Sequence, residues 1–230
     1  MIRRAPVLLV VAKAPVPGLV KTRLTPPFTP HQAAALAAAA FLDTLDACRE
    51  AARLTGAEVV VALDGDLAHS VSEAAIRSAL AAMRVVPQRG EGLAARLAAA
   101  HLDASGSFGT TLQVGMDTPQ LEPVVLAEGL DRICAPDGPD AVLGLAEDGG
   151  WWALGLRRAG AARCLVGVAM STGHTGADTL AALKAEQHRV EQLASLRDVD
   201  TLDDVLAVAG RSDGRFAALA RALYPVEVAS

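Results

Sequence analysis

The chain is poor in the residues that carry soft-metal, redox or nucleic-acid chemistry, and each shortage argues against a class of protein. Cysteine occurs three times, at Cys48, Cys134 and Cys164, far apart and with no CxxC pair. An odd, scattered set gives no disulfide framework and reads as reduced thiols in a cytoplasmic protein. The histidines, His31, His69, His101, His174 and His188, show neither HxxxH nor Cys/His spacing, which argues against a zinc centre. No GxSxG elbow is present, which argues against an α/β-hydrolase. Positive charge is in deficit: 21 Lys and Arg against 26 Asp and Glu leave a net charge of −5, unlike most nucleic-acid-binding domains. Long apolar runs are missing too. Residues 5–12, APVLLVVA, are too short and too soon followed by charge for a membrane span or a signal segment. A soluble cytoplasmic protein is expected, with no membrane or nucleic-acid partner, as monomer or homodimer.

Aromatic residues are only 3% of the chain while apolar residues make up 52%, chiefly Ala, Val and Leu. That mixture points to Ala-rich helices packed on Val/Leu strands. The order along the chain agrees. Strands are expected at 7–12, 57–63, 83–88, 110–117, 140–146, 151–157 and 188–193. Helices are expected from Pro30 to about Leu54, from the SVSE capping box at 70–73 to about Ala82, from Glu91 to Ala104, from the Pro119/Pro123 region to about Ala135, over 178–187, and twice more at the C-terminus. Thr29, Pro30 and Gln32 form a capping box with proline at N1, and Gly56 closes that helix. The βαβα alternation predicts one domain, residues 1–230, with a mainly parallel sheet between two helical layers. The 140–157 segment is an antiparallel excursion. Ligands in such folds bind at the carboxyl ends of the strands.

Several charged segments fall at those ends. AKAPVPGLVKTRLTP (12–26) crowds Lys13, Lys21 and Arg23 into one proline-stiffened loop with Gly18 available for close backbone approach. It is neither a Walker A loop nor GxGxxG. Its cations suit a di- or triphosphate, or else form a solvated cationic loop. In VGMDTP (114–119) a strand runs into Asp117, which can hold a hard divalent cation or cap the next helix. In AEDGGWW (146–152), Glu147 and Asp148 precede paired glycines, either as binding acids or as a hairpin turn. DVDT (198–201) offers Asp198 and Asp200 as metal ligands, capping being compatible with that. LDGD (63–66) has a DxD pattern but reads better as a turn. QRGEGLAARL (88–97) sets Gln88, Arg89 and Arg96 around a glycine-rich strand–helix loop, able to meet a base or a phosphate or simply to lie in solvent. Ser171, with His174 nearby in sequence, is weak ground for a nucleophile.

KAPVPGLVKTRL, QRGEGLAARL, VGMDTPQL, LAEDGGWWALGL, MST and DVDTLDDV occur in this order over nearly the whole chain. In that arrangement the chain resembles a bacterial family of GT-A-fold transferases, described as glycosyltransferases or nucleotide-diphospho-sugar transferases without an assigned substrate. The layout is similar to phospholactate guanylyltransferase and the molybdenum-cofactor nucleotidyltransferases. The resemblance implies a Rossmann-like GT-A domain, an α/β/α sandwich. It implies nucleotide contacts from Ala12, Lys13, Pro17, Gly18, Lys21, Arg23, Gln88, Gly92 and Arg96. Asp117 and Asp200, with Asp198, would hold Mg²⁺ or Mn²⁺. Glu147, Asp148, Gly149, Gly150, Trp151, Ser171 and Thr172 would face the acceptor. GWW and VAMST depart from the family's usual aromatic positions, and both lie on that acceptor side.

The expected activity is nucleotidyl transfer from a nucleoside triphosphate to a small anionic acceptor, with Lys21, Arg23 and Asp117 as the catalytic residues and pyrophosphate leaving. The triply cationic first loop favours three phosphates over two. Glycosyl transfer from a nucleotide sugar is the alternative, and a nucleotide-binding regulator without turnover is the alternative of another class.

Overall fold

The computed structural model describes residues 5–225. The apolar run after Pro6 forms β1 (Val7–Lys13). α1 (Pro30–Thr55) opens on the expected box: the Gln32 amide donates to Thr29 Oγ1 at 3.2 Å while the Thr29 amide donates to Gln32 Oε1 at 2.8 Å. Gly56, at φ 71°, closes it through an N–H to the Ala52 carbonyl. The chain continues through β2 (Glu58–Asp64), α2 (Glu73–Leu80), β3 (Arg84–Pro87), α3 (Gly92–Ser105), β4 (Thr111–Gly115) and α4 (Pro123–Cys134). It then forms β5 (Ala141–Ala146), β6 (Trp151–Leu156), α5 (Thr175–Ala185), β7 (Val190–Leu196), α6 (Leu202–Ala209) and α7 (Arg215–Leu223).

The strands form one sheet in the order β3-β2-β1-β4-β6-β5-β7. Only β6 runs against its neighbours: it is antiparallel to β4 and β5, while β1–β2, β1–β4, β2–β3 and β5–β7 are parallel. Six strands therefore end on one edge of the sheet, and β6 begins there at Trp151. Alternate residues of β1 divide the core between the two faces. Leu8, Val10 and Ala12 join α1, α2 and α4, whereas Val7 and Leu9 pack toward α3. On this α3 face, toward the β5 and β6 end, Leu143, Leu154 and Leu156 pack with Leu97, Leu183 and a long 3₁₀ segment, Ala159–Gly167. This is the expected three-layer α/β/α sandwich. α6 and α7 add an outer cluster on α1 around Phe216, Val205 and Val199.

Four local expectations change. Ser70 does not cap α2: Asp66 accepts the Ala68 amide at 2.9 Å and starts a 3₁₀ turn (Leu67–His69), so the helix begins later, at Glu73. β4 stops at Gly115 because the chain beyond it pairs with residues near 199, the Val199 amide donating to the Asp117 carbonyl at 3.2 Å. β7 runs three residues further, to Leu196, because its ladder with β5 continues to the Ala146–Leu196 pair. α5 starts at Thr175, where the Gly176 amide finds the Gly149 carbonyl at 2.8 Å.

Candidate active site

A crevice of about 820 Å³ opens along the carboxyl edge of the sheet. β1 lies between β2 and β4, so the connections leaving β1 and β4 diverge there, at the usual ligand position of an open α/β sheet. The loop after β1 brings in Lys21 and Arg23, β4 delivers Asp117, and the segment after β7 delivers Asp198 and Asp200.

The centre of the crevice is a charge cluster. Lys21 Nζ donates to Asp117 Oδ2 at 2.6 Å and to Asp200 Oδ1 at 2.8 Å, and its side chain is 9% exposed. Arg23 reaches the other Asp200 oxygen at 3.4 Å. Burial alone would lower the Lys21 pKa, but the charges and hydrogen bonds of the two aspartates outweigh it and hold the ammonium above the ordinary lysine value. Partial burial likewise opposes ionisation of Asp200, yet Lys21 and then Arg23 keep that carboxyl below its ordinary value. Asp198 lies deeper. Its Oδ1 accepts from Thr118 Oγ1 at 3.1 Å, and burial, reinforced by the Asp117 charge, pushes its pKa up to about 7.

On one side of this cluster, Asp64 at the end of β2 meets Arg96 of α3 at 3.0 Å. Gln88 turns its amide inward, donating to the carbonyls of Ala12 at 2.8 Å and Ala62 at 3.0 Å. Its NH₂ group thereby ties β3 to the ends of β1 and β2. Lys13 bridges back to the Leu19 carbonyl at 3.1 Å. On the other side stand Asp148, Gly150, Trp151, Ser171 and Thr172. Asp148, which lines the crevice, accepts the Gly150 amide on Oδ1 at 2.8 Å, a turn contact.

Of the residues expected at the site, Ala12, Lys13, Lys21, Arg23, Gln88, Arg96, Asp117, Asp148, Gly150, Trp151, Ser171, Thr172, Asp198 and Asp200 line the crevice. Pro17, Gly18, Gly92, Glu147 and Gly149 do not. Glu147 is the clearest correction: it turns to Arg197, whose Nε donates to Glu147 Oε2 at 2.8 Å, and that pair satisfies its charge away from the crevice. Gly149 packs its backbone against Gly173, where an added Cβ would sit 2.0 Å from the Gly173 oxygen. Gly18 and Gly92, both at positive φ, shape their loops rather than the wall.

Asp64, Gln113, Met116 and Thr118 also line the crevice without having been singled out as site residues. Asp64 was visible in LDGD, whose second aspartate does form the expected turn. Gln113 was visible as the polar residue in an otherwise apolar strand. It is 2% exposed, and its Oε1 has no hydrogen-bond partner among the described residues.

The site suits a divalent cation by the chemistry of its donors. Asp117 and Asp200 present hard carboxylate oxygens that already converge on one positive charge. No group of three His, Cys, Asp or Glu side chains among the described residues converges as a complete metal cage. Two carboxylates with the remaining ligands from phosphate and water is the pattern Mg²⁺ and Mn²⁺ favour.

This architecture is the mainly parallel, Rossmann-like fold of the GT-A and nucleotidyltransferase proteins. A crystal structure of a candidate nucleotide-diphospho-sugar transferase from Desulfovibrio desulfuricans G20 shares it with a TM-score of 0.77 and 24% identity, over 94% of this chain and 97% of that one. The manganese complex of Rv0371C from Mycobacterium tuberculosis H37Rv gives 0.54 and 21%, over 89% and 98% of the two chains. CMP:2-keto-3-deoxy-manno-octonic acid synthetase with CTP bound gives 0.54 and 13%, over 90% and 99%. At these identities the likeness establishes the fold. The sequence profile of the family described as "Uncharacterized protein conserved in bacteria (DUF2064)" matches residues 44–172, and the chain belongs to that family. No curated protein matches the sequence. No helix among the described residues is long and apolar enough to cross a membrane.

Proposed function

We propose that the chain is a divalent-metal-dependent nucleotidyltransferase. It would move a nucleoside monophosphate from a nucleoside triphosphate to a small anionic acceptor. The observation that carries this reading is the Lys21–Asp117–Asp200 cluster at the junction of β1 and β4, 2.6 and 2.8 Å across its two contacts, inside a crevice of nucleotide size. The manganese and CTP found with proteins of the same fold are consistent with it.

In this reading the nucleoside end lies toward Gln88, Asp64 and Arg96. The phosphates run past the Lys13–Arg23 loop, and the acceptor sits against Asp148, Trp151, Ser171 and Thr172. Asp117 and Asp200 are the residues that would hold Mg²⁺ or Mn²⁺, which when bound would neutralise phosphate charge. Lys21 and Arg23 stabilise the charge that builds on the departing pyrophosphate. An anionic acceptor needs no proton removed before attack on the α-phosphorus. Catalysis then reduces to alignment and electrostatics, and a site without histidine suffices.

Glycosyl transfer from a nucleotide sugar is the second reading. It is favoured by Asp148, a crevice-lining carboxylate with no cationic partner among the described residues, placed to accept a proton from an acceptor hydroxyl. A thermal-shift panel of nucleoside triphosphates and nucleotide sugars, each with and without Mg²⁺, separates the two. Stabilisation by triphosphates supports nucleotidyl transfer, and stabilisation by nucleotide sugars supports glycosyl transfer. A panel in which nothing stabilises the fold removes both.

A further inference from the structure

A lysine ammonium stands where the proposed site requires a divalent cation. Lys21 Nζ engages one oxygen of each aspartate, and Arg23 engages the second oxygen of Asp200. The backbone sets this up. Lys21 sits at φ 48°, ψ 39°, in the left-handed region, immediately before the 3₁₀ turn Thr22–Leu24. Its side chain is thereby drawn under the loop, whereas Arg23 stays 72% exposed.

The same carboxylate oxygens cannot serve an ammonium and a divalent ion at once, because two cations at contact distance repel strongly in a sheltered site. If the ion takes the aspartates, the ammonium needs another anion. Of the other crevice acids, Asp64 is held by Arg96, Asp198 is buried beside Asp117 with its carboxyl pushed up to about 7, and Asp148 stands on the acceptor side of the crevice with one oxygen on the Gly150 amide. A polyphosphate lying along the loop supplies that anion.

We infer that Lys21 is an exchangeable counter-ion. It neutralises Asp117 and Asp200 in the empty enzyme and yields them to the divalent cation as it transfers to the phosphates. Metal and polyphosphate therefore load together, and Lys21 is the residue that couples them. The inference rests on the transferase reading for the identity of the polyphosphate, but its test uses Mn²⁺ alone.

Mn²⁺ binding to the full chain, followed by electron paramagnetic resonance of the free ion, is compared for wild type, Lys21→Met and Arg23→Met. Both substitutions remove one positive charge near Asp200, but Arg23 is exposed and touches Asp200 alone, so Arg23→Met gauges the screened charge effect without vacating the position between the two aspartates. Exchange predicts a gain of about tenfold for Lys21→Met and less than about threefold for Arg23→Met. Equal gains, or none for Lys21→Met, overturn the inference.

Should Lys21→Met fail to fold, the wild-type protein gives a second reading. The chain has three lysines, Lys13, Lys21 and Lys184. Acetic anhydride labelling, read by mass spectrometry, should modify Lys21 slowly in the free protein and faster as Mn²⁺ saturates, with Lys184 constant as the reference. Lys21 labelling that does not change with Mn²⁺ overturns the inference. Failure of the nucleotide panel with a positive Mn²⁺ result removes the transferase reading alone; the reverse outcome removes only the exchange.

Discussion

At the scale of single residues, the site sorts its acids by partner. Asp117 and Asp200 share Lys21, Glu147 is taken by Arg197, and Asp148 meets a backbone amide and no cation among the described residues. Two predictions follow from that sorting. Asp117→Asn should abolish the Mg²⁺-dependent part of nucleotide stabilisation and lower turnover by about a hundredfold or more, since it removes one of the two carboxylates that would hold the ion neutralising the phosphates. A thermal-shift titration paired with a pyrophosphate-release assay checks it. Glu147→Gln should change turnover by less than about twofold and cost no more than about 1 kcal/mol, the range of an exposed ion pair. Steady-state kinetics and urea denaturation would reveal a larger effect, which would return Glu147 to the reaction.

Elements carry a different set of constraints. The turn between β5 and β6 meets the start of α5 through close backbone contacts: Gly149 is at φ 88° and packs on Gly173, and the Gly149 carbonyl receives the Gly176 amide. Gly149→Ala should therefore cost about 2 kcal/mol or more through backbone strain and displacement of Gly173, measurable as a fall in the urea midpoint. On the same face of the sheet, His101 of α3 is fully buried against β4, its Nδ1 2.7 Å from Thr111 Oγ1. Burial drops its pKa to about 3 from the ordinary 6.5. An unfolded chain takes up this proton near pH 6.5, whereas the folded chain resists until about pH 3. The stability this provides is complete above pH 6.5 and is lost as pH falls toward 3, by up to about 5 kcal/mol. Denaturation curves between pH 4.5 and 7 should show that loss, and His101→Gln should flatten it.

For the molecule as a whole, the C-terminal helices determine where a piece of the site sits. Val199 is 2% exposed in the cluster of α1, α6 and α7, and it lies between Asp198 and Asp200. Its amide also holds the Asp117 carbonyl at 3.2 Å. Phe216→Ala on α7 removes a side chain that is 1% exposed from that cluster and should cost about 3–5 kcal/mol. Because the cluster holds Val199 beside Asp200, the same variant should weaken Mn²⁺ binding, although Phe216 does not line the crevice. Calorimetry of unfolding and of Mn²⁺ binding on one preparation tests both effects. Unchanged Mn²⁺ affinity would show that the 198–200 segment holds its place without α7.

Much of this was legible in the chain itself. Unbroken apolar runs, the Thr29–Gln32 box, Gly56 and the alternation of strand and helix are local signals, and they place nearly every element and the crevice edge. They also bring Lys21, Asp117 and Asp200 to that edge, because residues following parallel strands share it. Local sequence could not say which way a side chain turns once it arrives. Glu147 and Asp148 are adjacent and chemically alike, yet one meets Arg197 and the other the crevice, because only the packed sheet places Arg197 fifty residues on beside Glu147. Lys21 was readable as a cation in a loop. Its clamp between two aspartates 96 and 179 residues away was not, since Coulomb attraction depends on distance in space and only the closed fold fixes that distance.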